Sequence, residues 1–184
     1  LAGSVFAAAV ILPRAYTNAA LNDPKMLTAK KRYALREQIE RDALAWAVGE
    51  VKPEEIDKVN ILHASFLAMH RAIAQLQVAP EALIIDGNRF DPYPGLPHTC
   101  IVKGDGKYLS IAAASILAKT YRDDYMDALA RECPYYDWEH NKGYPTAKHY
   151  AGLEAHGPSV YHRRTFNLVG NRQTSINWDA LPKE

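Results

Sequence analysis

The segment Val5-Phe6-Ala7-Ala8-Ala9-Val10-Ile11-Leu12 is almost wholly apolar and includes β-branched residues. A strand with one wet face would alternate polar and apolar residues. This run therefore predicts a strand buried on both faces, a type found in parallel or mixed sheets covered by helices. Helical patterns do follow it. Thr28 is placed to cap a helix from Ala29 to about Asp42, with Leu35 and Ile39 on one stripe among Lys30, Lys31, Arg36 and Glu40. Residues 43–51 are ambiguous by period, but Trp46, Val48 and Gly49 favour a strand. Pro53 opens a short acidic helix. Asn60 reads as the N-cap of an amphipathic helix whose Leu62, Phe66, Met69, Ile73 and Leu76 form a core stripe. Strands are expected at 82–85 and 99–102, a largely buried helix from 110 to about 132, and another from Thr146 to about 155. The alternation is α/β throughout and fits one domain.

Composition limits the partners. With 22 basic and 21 acidic residues and a net charge of +1, overall charge steers nothing, so any nucleic acid must meet basic groups gathered locally. Cys100 and Cys133 are too few for a disulfide framework or a thiolate zinc site, and reduced, structural thiols in a cytoplasmic protein are expected. The apolar run at 5–12 is too short to span a bilayer and has no basic flank, so no membrane partner is expected.

Two aspartates stand where chemistry is possible. In Ala82-Leu83-Ile84-Ile85-Asp86-Gly87-Asn88 a strand delivers a carboxylate into a turn, and in Ser115-Ile116-Leu117-Ala118-Lys119-Thr120-Tyr121-Arg122-Asp123 a helix delivers one from its flank. Carboxylates on rigid elements suit a hard cation such as Mg²⁺. Plainer readings stand beside this one: Asp86 bonding its own turn backbone, and Lys119 forming a salt bridge with Asp123. Two acidic ligands are also few for a two-metal phosphodiester site. His63 with His70, and His149 with His156, lack partners at metal spacing, so zinc is not expected. For Tyr135, Tyr136 and Trp138, core packing outweighs stacking on bases.

Six segments taken together resemble bacterial ribonuclease HII, and the Bacteroides group in particular. They are Leu21-Asn22-Asp23-Pro24-Lys25, Ile85-Asp86-Gly87-Asn88, Val102-Lys103-Gly104-Asp105, Ser115-Ile116-Leu117-Ala118-Lys119 with Arg122-Asp123, Lys142-Gly143-Tyr144-Pro145-Thr146, and His162-Arg163-Arg164-Thr165-Phe166. The resemblance implies an α/β fold: a ribonuclease H-like mixed sheet flanked by helices, with extra helices at the C-terminus. It implies a catalytic domain over 1–166 and a tail over 167–184. The implied enzyme is a monomeric, Mg²⁺- or Mn²⁺-dependent endoribonuclease. It would cut the phosphodiester 5′ to ribonucleotides in RNA/DNA hybrids or in DNA with embedded ribonucleotides, leaving 3′-hydroxyl and 5′-phosphate ends.

Carried over by motif, Asp86 and Asp123 resemble the third and fourth metal-binding carboxylates and so the catalytic pair. Tyr144 resembles the tyrosine that packs on the sugar at the RNA-DNA junction. Lys25, Lys119, Arg163 and Thr165 resemble contacts to backbone phosphate. The family pattern opens with a Gly-x-Asp-Glu-x-Gly-Arg-Gly segment directly before the Leu-Ala-Gly at which this chain begins. That segment supplies the other two carboxylates and the loop that senses the 2′-hydroxyl. The chain is thus expected to start inside its domain, with weak metal binding and activity lowered by orders of magnitude. A non-catalytic hybrid-binding module is the alternative. Pro24 and Met26 stand where Ser and Lys are usual, and Thr165 where Ser is usual. The tail reads first as disordered; second, Gln173-Thr174-Ser175-Ile176-Asn177-Trp178 resembles peptides that bind sliding clamps.

Overall fold

A computed structural model describes residues 1–22 and 27–170. Strand β1, Val5–Ile11, follows the apolar run. Thr28 accepts a hydrogen bond from the Lys31 amide and caps helix α1, Ala29–Asp42, as its sequence predicts. Strand β2, Ala45–Val51, pairs antiparallel with β1, from Val5 opposite Val51 to Ile11 opposite Ala45.

Helix α2, Pro53–Ala74, is two helical segments joined at Asn60, whose φ of 67° interrupts the helix. The Asn60 side chain accepts from the amides of Leu62 and His63 at 3.0 and 3.1 Å, so it is an N-cap inside a continuous element. The expected core stripe needs one correction: Leu62 is 43% exposed, because it lies in the first turn beyond this kink. The buried set includes Ala64, Phe66, Ala68, Ala72 and Ile73. Its small members let the helix approach β2 closely. A Cβ built on Gly49 would lie 2.0 Å from the Ala68 carbonyl oxygen, so at this position only glycine fits the contact.

Strands β3, Leu83–Asp86, and β4, His98–Ile101, pair in parallel. Helix α3, Leu109–Glu132, the short α4, Trp138–Asn141, and α5, Ala147–His156, complete the described elements. Sheet residues Val10, Trp46 and Val48 pack on Leu35, Ile39, Ile116 and Leu117 of α1 and α3, while Ala7 and Val51 pack on Ile56, Ala64 and Ala68 of α2. The sheet layer thus has helices on both faces. The expected mixed sheet takes the form of one antiparallel and one parallel pair. A groove of about 980 Å³ separates them, lined by successive residues of β1 and β3 and floored by Ile111, Ala114, Ser115 and Ala118 of α3. This opening leaves most of β1 only half-buried although both of its faces are covered.

A second core gathers the C-terminal half of α3, α4, α5 and the start of the chain, with Ala2, Met126, Leu129, Tyr136, Trp138 and Leu153 buried together. The chain start is stitched to 161–163 by the Gly3 amide on the Tyr161 carbonyl at 2.8 Å and the Arg163 amide on the Leu1 carbonyl at 2.9 Å. Tyr136 and Trp138 are core, as expected, whereas Tyr135 is exposed. The helix at Trp138 was not foreseen; it lets a fully buried indole reach His149. No described helix is long and apolar enough to cross a membrane.

Candidate active site

Asp86 closes β3 with its side chain at the surface, and its Oδ1 accepts from the Gly104 amide at 2.9 Å. The anchor is not its own turn, as the plain reading held, but the turn after β4, where Lys103 adopts a left-handed φ of 56°. Its Oδ2 has no partner among the described residues. Asp86 and the α3 residues Ser115 and Ala118 line the same groove.

Asp123 is 7% exposed, and both of its oxygens lie 3.4 Å from the Lys119 ammonium. The salt bridge considered from sequence does form. At that distance it is weak, and a buried carboxylate calls for a closely held cation. The oxygen donors of Asp86 and Asp123 therefore fit a hard divalent ion in chemistry, though not in number. Among the described residues the one group of three close ligand atoms is Asp137, Glu139 and His140, which contains neither aspartate. There His140 Nδ1 already bonds Asp137 at 2.7 Å. That group reads as a surface hydrogen-bonded turn.

One residue before Asp123, the Arg122 guanidinium carbon lies 5.5 Å from the centre of the Tyr144 ring, within cation-π range. The Tyr144 side chain is 62% exposed, but its backbone is tightly held. Lys142 and Gly143 take successive left-handed conformations, with φ of 48° and 86°. The buried Asn141 accepts from the Gly143 amide at 2.9 Å and donates to the Tyr136 carbonyl at 2.8 Å.

Behind Tyr144 lies a buried histidine pair. His149 Nε2 accepts from the Trp138 indole at 3.2 Å, so Nδ1 bears the proton given to the Tyr144 carbonyl at 2.9 Å. The Ser159 amide donates to His162 Nδ1, so His162 Nε2 is the donor toward His149 Nε2 at 3.0 Å. Both rings are neutral. Burial pushes the His149 pKa down, and burial followed by His149 pushes that of His162 to about 4.

Arg163 is 8% exposed; its Nε donates to the Gly3 carbonyl at 2.9 Å and its guanidinium lies over Phe166. Burial, then the positive charge of Arg122, pushes its pKa down to about 10. The Thr165 hydroxyl, which the resemblance assigns to phosphate, donates to Asp57 at 2.7 Å. The amides of Arg164 and Thr165 donate to the same carboxylate. These bonds outweigh burial and hold Asp57 below its usual range. Lys25 and Gln173–Trp178 lie outside the described residues.

The structure thus brings Lys119 to Asp123 and gathers Arg122, Tyr144 and Arg163. It sets Thr165 on Asp57. Arg122 was visible in the motif but carried no role there. The hydrogen-bonding roles of His149 and Asp57 gave no sequence signal, because the ring partners of His149 are 5, 11 and 13 residues away and the partners of Asp57 107 and 108.

The ribonuclease HII family model matches residues 1–169. The chain is 67% identical over 178 residues to ribonuclease HII of Bacteroides thetaiotaomicron, spanning 97% of this chain and 89% of that protein. It is 69% identical over 170 residues to ribonuclease HII of Phocaeicola vulgatus, spanning 92% and 85%. Among solved structures, the ribonuclease HII in a complex with PCNA from Archaeoglobus fulgidus is similar in fold, with TM-score 0.70 and 21% identity over 95% of this chain and 92% of that one. Ribonuclease H2 of Pyrococcus horikoshii is similar with TM-score 0.69 and 20% identity over 90% and 95%.

Proposed function

The chain belongs to the ribonuclease HII family and is an enzyme of the ribonuclease H type, and from that premise we propose the details of its reaction. It hydrolyses the phosphodiester 5′ to a ribonucleotide in RNA/DNA hybrids or ribonucleotide-containing duplex DNA, leaving a 3′-hydroxyl and a 5′-phosphate. Asp86 and Asp123 would hold Mg²⁺ or Mn²⁺. When bound, such an ion supplies activation of a water and stabilisation of the leaving oxygen. Lys119, beside Asp123, screens that carboxylate and stands near the path of the backbone. Phosphate contacts set the register of a duplex, while RNA is told from DNA at the 2′-hydroxyl and through the sugar.

The observation that carries this reading is Tyr144: an exposed ring on a rigid turn, touching the residue next to Asp123. Exposed aromatics on rigid backbones serve as stacking platforms, each worth ~1–3 kcal/mol. Tyr144→Ala is therefore expected to weaken cleavage of a single-ribonucleotide duplex by about 10- to 100-fold. Affinity for an all-DNA duplex should change little. Parallel cleavage and anisotropy assays read both, and an equal loss on both duplexes would refute the assignment. A non-catalytic hybrid-binding module is the weaker reading, since the relatives at 67–69% identity carry the name of the enzyme.

A contact with a sliding clamp through Gln173–Trp178 is the second element of the proposal. The Archaeoglobus fulgidus neighbour, solved with PCNA, favours it. Ile176→Ala with Trp178→Ala should abolish capture of the chain by immobilised bacterial clamp; unchanged capture would remove the idea.

A further inference from the structure

We propose that Arg122 is a nucleic-acid-binding residue, forming with Arg163 a two-guanidinium cradle for one backbone phosphate of the strand whose sugar rests on Tyr144. The inference rests on the ribonuclease reading of Tyr144 and adds a contact to it. Two observations support the cradle. First, neither arginine forms an ion pair with a carboxylate among the described residues; the recorded contacts are the Tyr144 ring for Arg122, and the Gly3 carbonyl and Phe166 ring for Arg163. Arg36, Arg41 and Arg71, by contrast, each pair with a carboxylate.

Second, Arg163 is more than nine-tenths buried and feels the like charge of Arg122. Burying a guanidinium beside another cation is unfavourable, and the Asp57 carboxylate offsets only part of that; a bound phosphate would reverse the sign of the interaction with Arg122. The ligand class follows from the geometry. An exposed aromatic ring and two forked cations match an anionic backbone bearing a flat-faced sugar or base.

Neutralising one phosphate contributes about 0.9 to the slope of log affinity against log salt on B-form DNA. Anisotropy titrations of a single-ribonucleotide duplex across salt concentrations, in chelator to prevent cleavage, should give R122Q a slope smaller by about 0.9 than wild type. R122K should keep the slope. R41Q, which alters an exposed arginine paired with Asp42, should leave both slope and affinity alone. An R122Q slope equal to wild type would overturn the cradle. A loss in R122K as large as in R122Q would also overturn it, by pointing to packing on Tyr144 rather than charge. Equal wild-type affinity for ribonucleotide and all-DNA duplexes, with the slope still lost in R122Q, would instead remove the ribonuclease reading of Tyr144 and leave the phosphate cradle standing.

Discussion

Asp123→Asn is expected to lower metal-dependent cleavage of a single-ribonucleotide duplex by about three orders of magnitude relative to the parent chain. A hard cation at a phosphoryl centre supplies several kcal/mol of transition-state stabilisation, and each 1.36 kcal/mol is about tenfold in rate. Asparagine keeps the shape of Asp123 and removes the charge proposed to hold the ion. The fold should tolerate the change, because the ion partner given up, Lys119, is half-exposed and only 3.4 Å away at its closest. Duplex affinity in chelator should hold or rise slightly, since a negative charge beside phosphate is lost. Mn²⁺ affinity, followed by calorimetry, should fall at least tenfold. A variant that retains both the cleavage rate and Mn²⁺ affinity would show that Asp123 holds no ion.

Trp138→Ala should produce the largest loss of stability, about 3–5 kcal/mol. The indole is fully buried and stacks on Tyr136 with ring centres 4.7 Å apart. Its N–H also donates to His149, so truncation opens a cavity and removes one of the two bonds that keep His149 Nε2 an acceptor. His149 in turn holds the Tyr144 carbonyl, which links the core beneath α4 to the exposed ring above it. Urea unfolding measures the loss. Trp138→Phe should cost less, because it restores most of the apolar area and forfeits mainly one hydrogen bond, about 1 kcal/mol. A loss below about 1 kcal/mol for the alanine variant would mean that this segment contributes little to cooperative folding.

Much of the architecture was legible where local chemistry and periodicity agree. Thr28 and Thr146 cap the helices they were read to cap, and Asn60 accepts amide hydrogens as an N-cap. Leu35 and Ile39 are buried because a 3.6-residue repeat puts them on one side of α1 whatever lies opposite. Leu62 obeyed the same pattern and yet is exposed. Periodicity says which residues share a face, but not where the neighbouring element stops. The pairing of β1 with β2 and of β3 with β4, and the groove between them, depend on contacts distant in sequence, which no local pattern encodes.

The site divides along the same line. The sequence by itself determined the residue types and their local supports: a carboxylate at a strand end, another on a helix flank, and a tyrosine after a Lys-Gly turn. These depend on backbone geometry over a few residues. Only the tertiary structure decided which charges meet. It put the Thr165 hydroxyl on Asp57, Asp86 under the Gly104 amide, and Arg122 over Tyr144 beside a buried Arg163. The reason is that an electrostatic contact is set by distance and burial in the folded chain, and residues 22 positions apart in sequence become neighbours only when the helices and turns that carry them have packed.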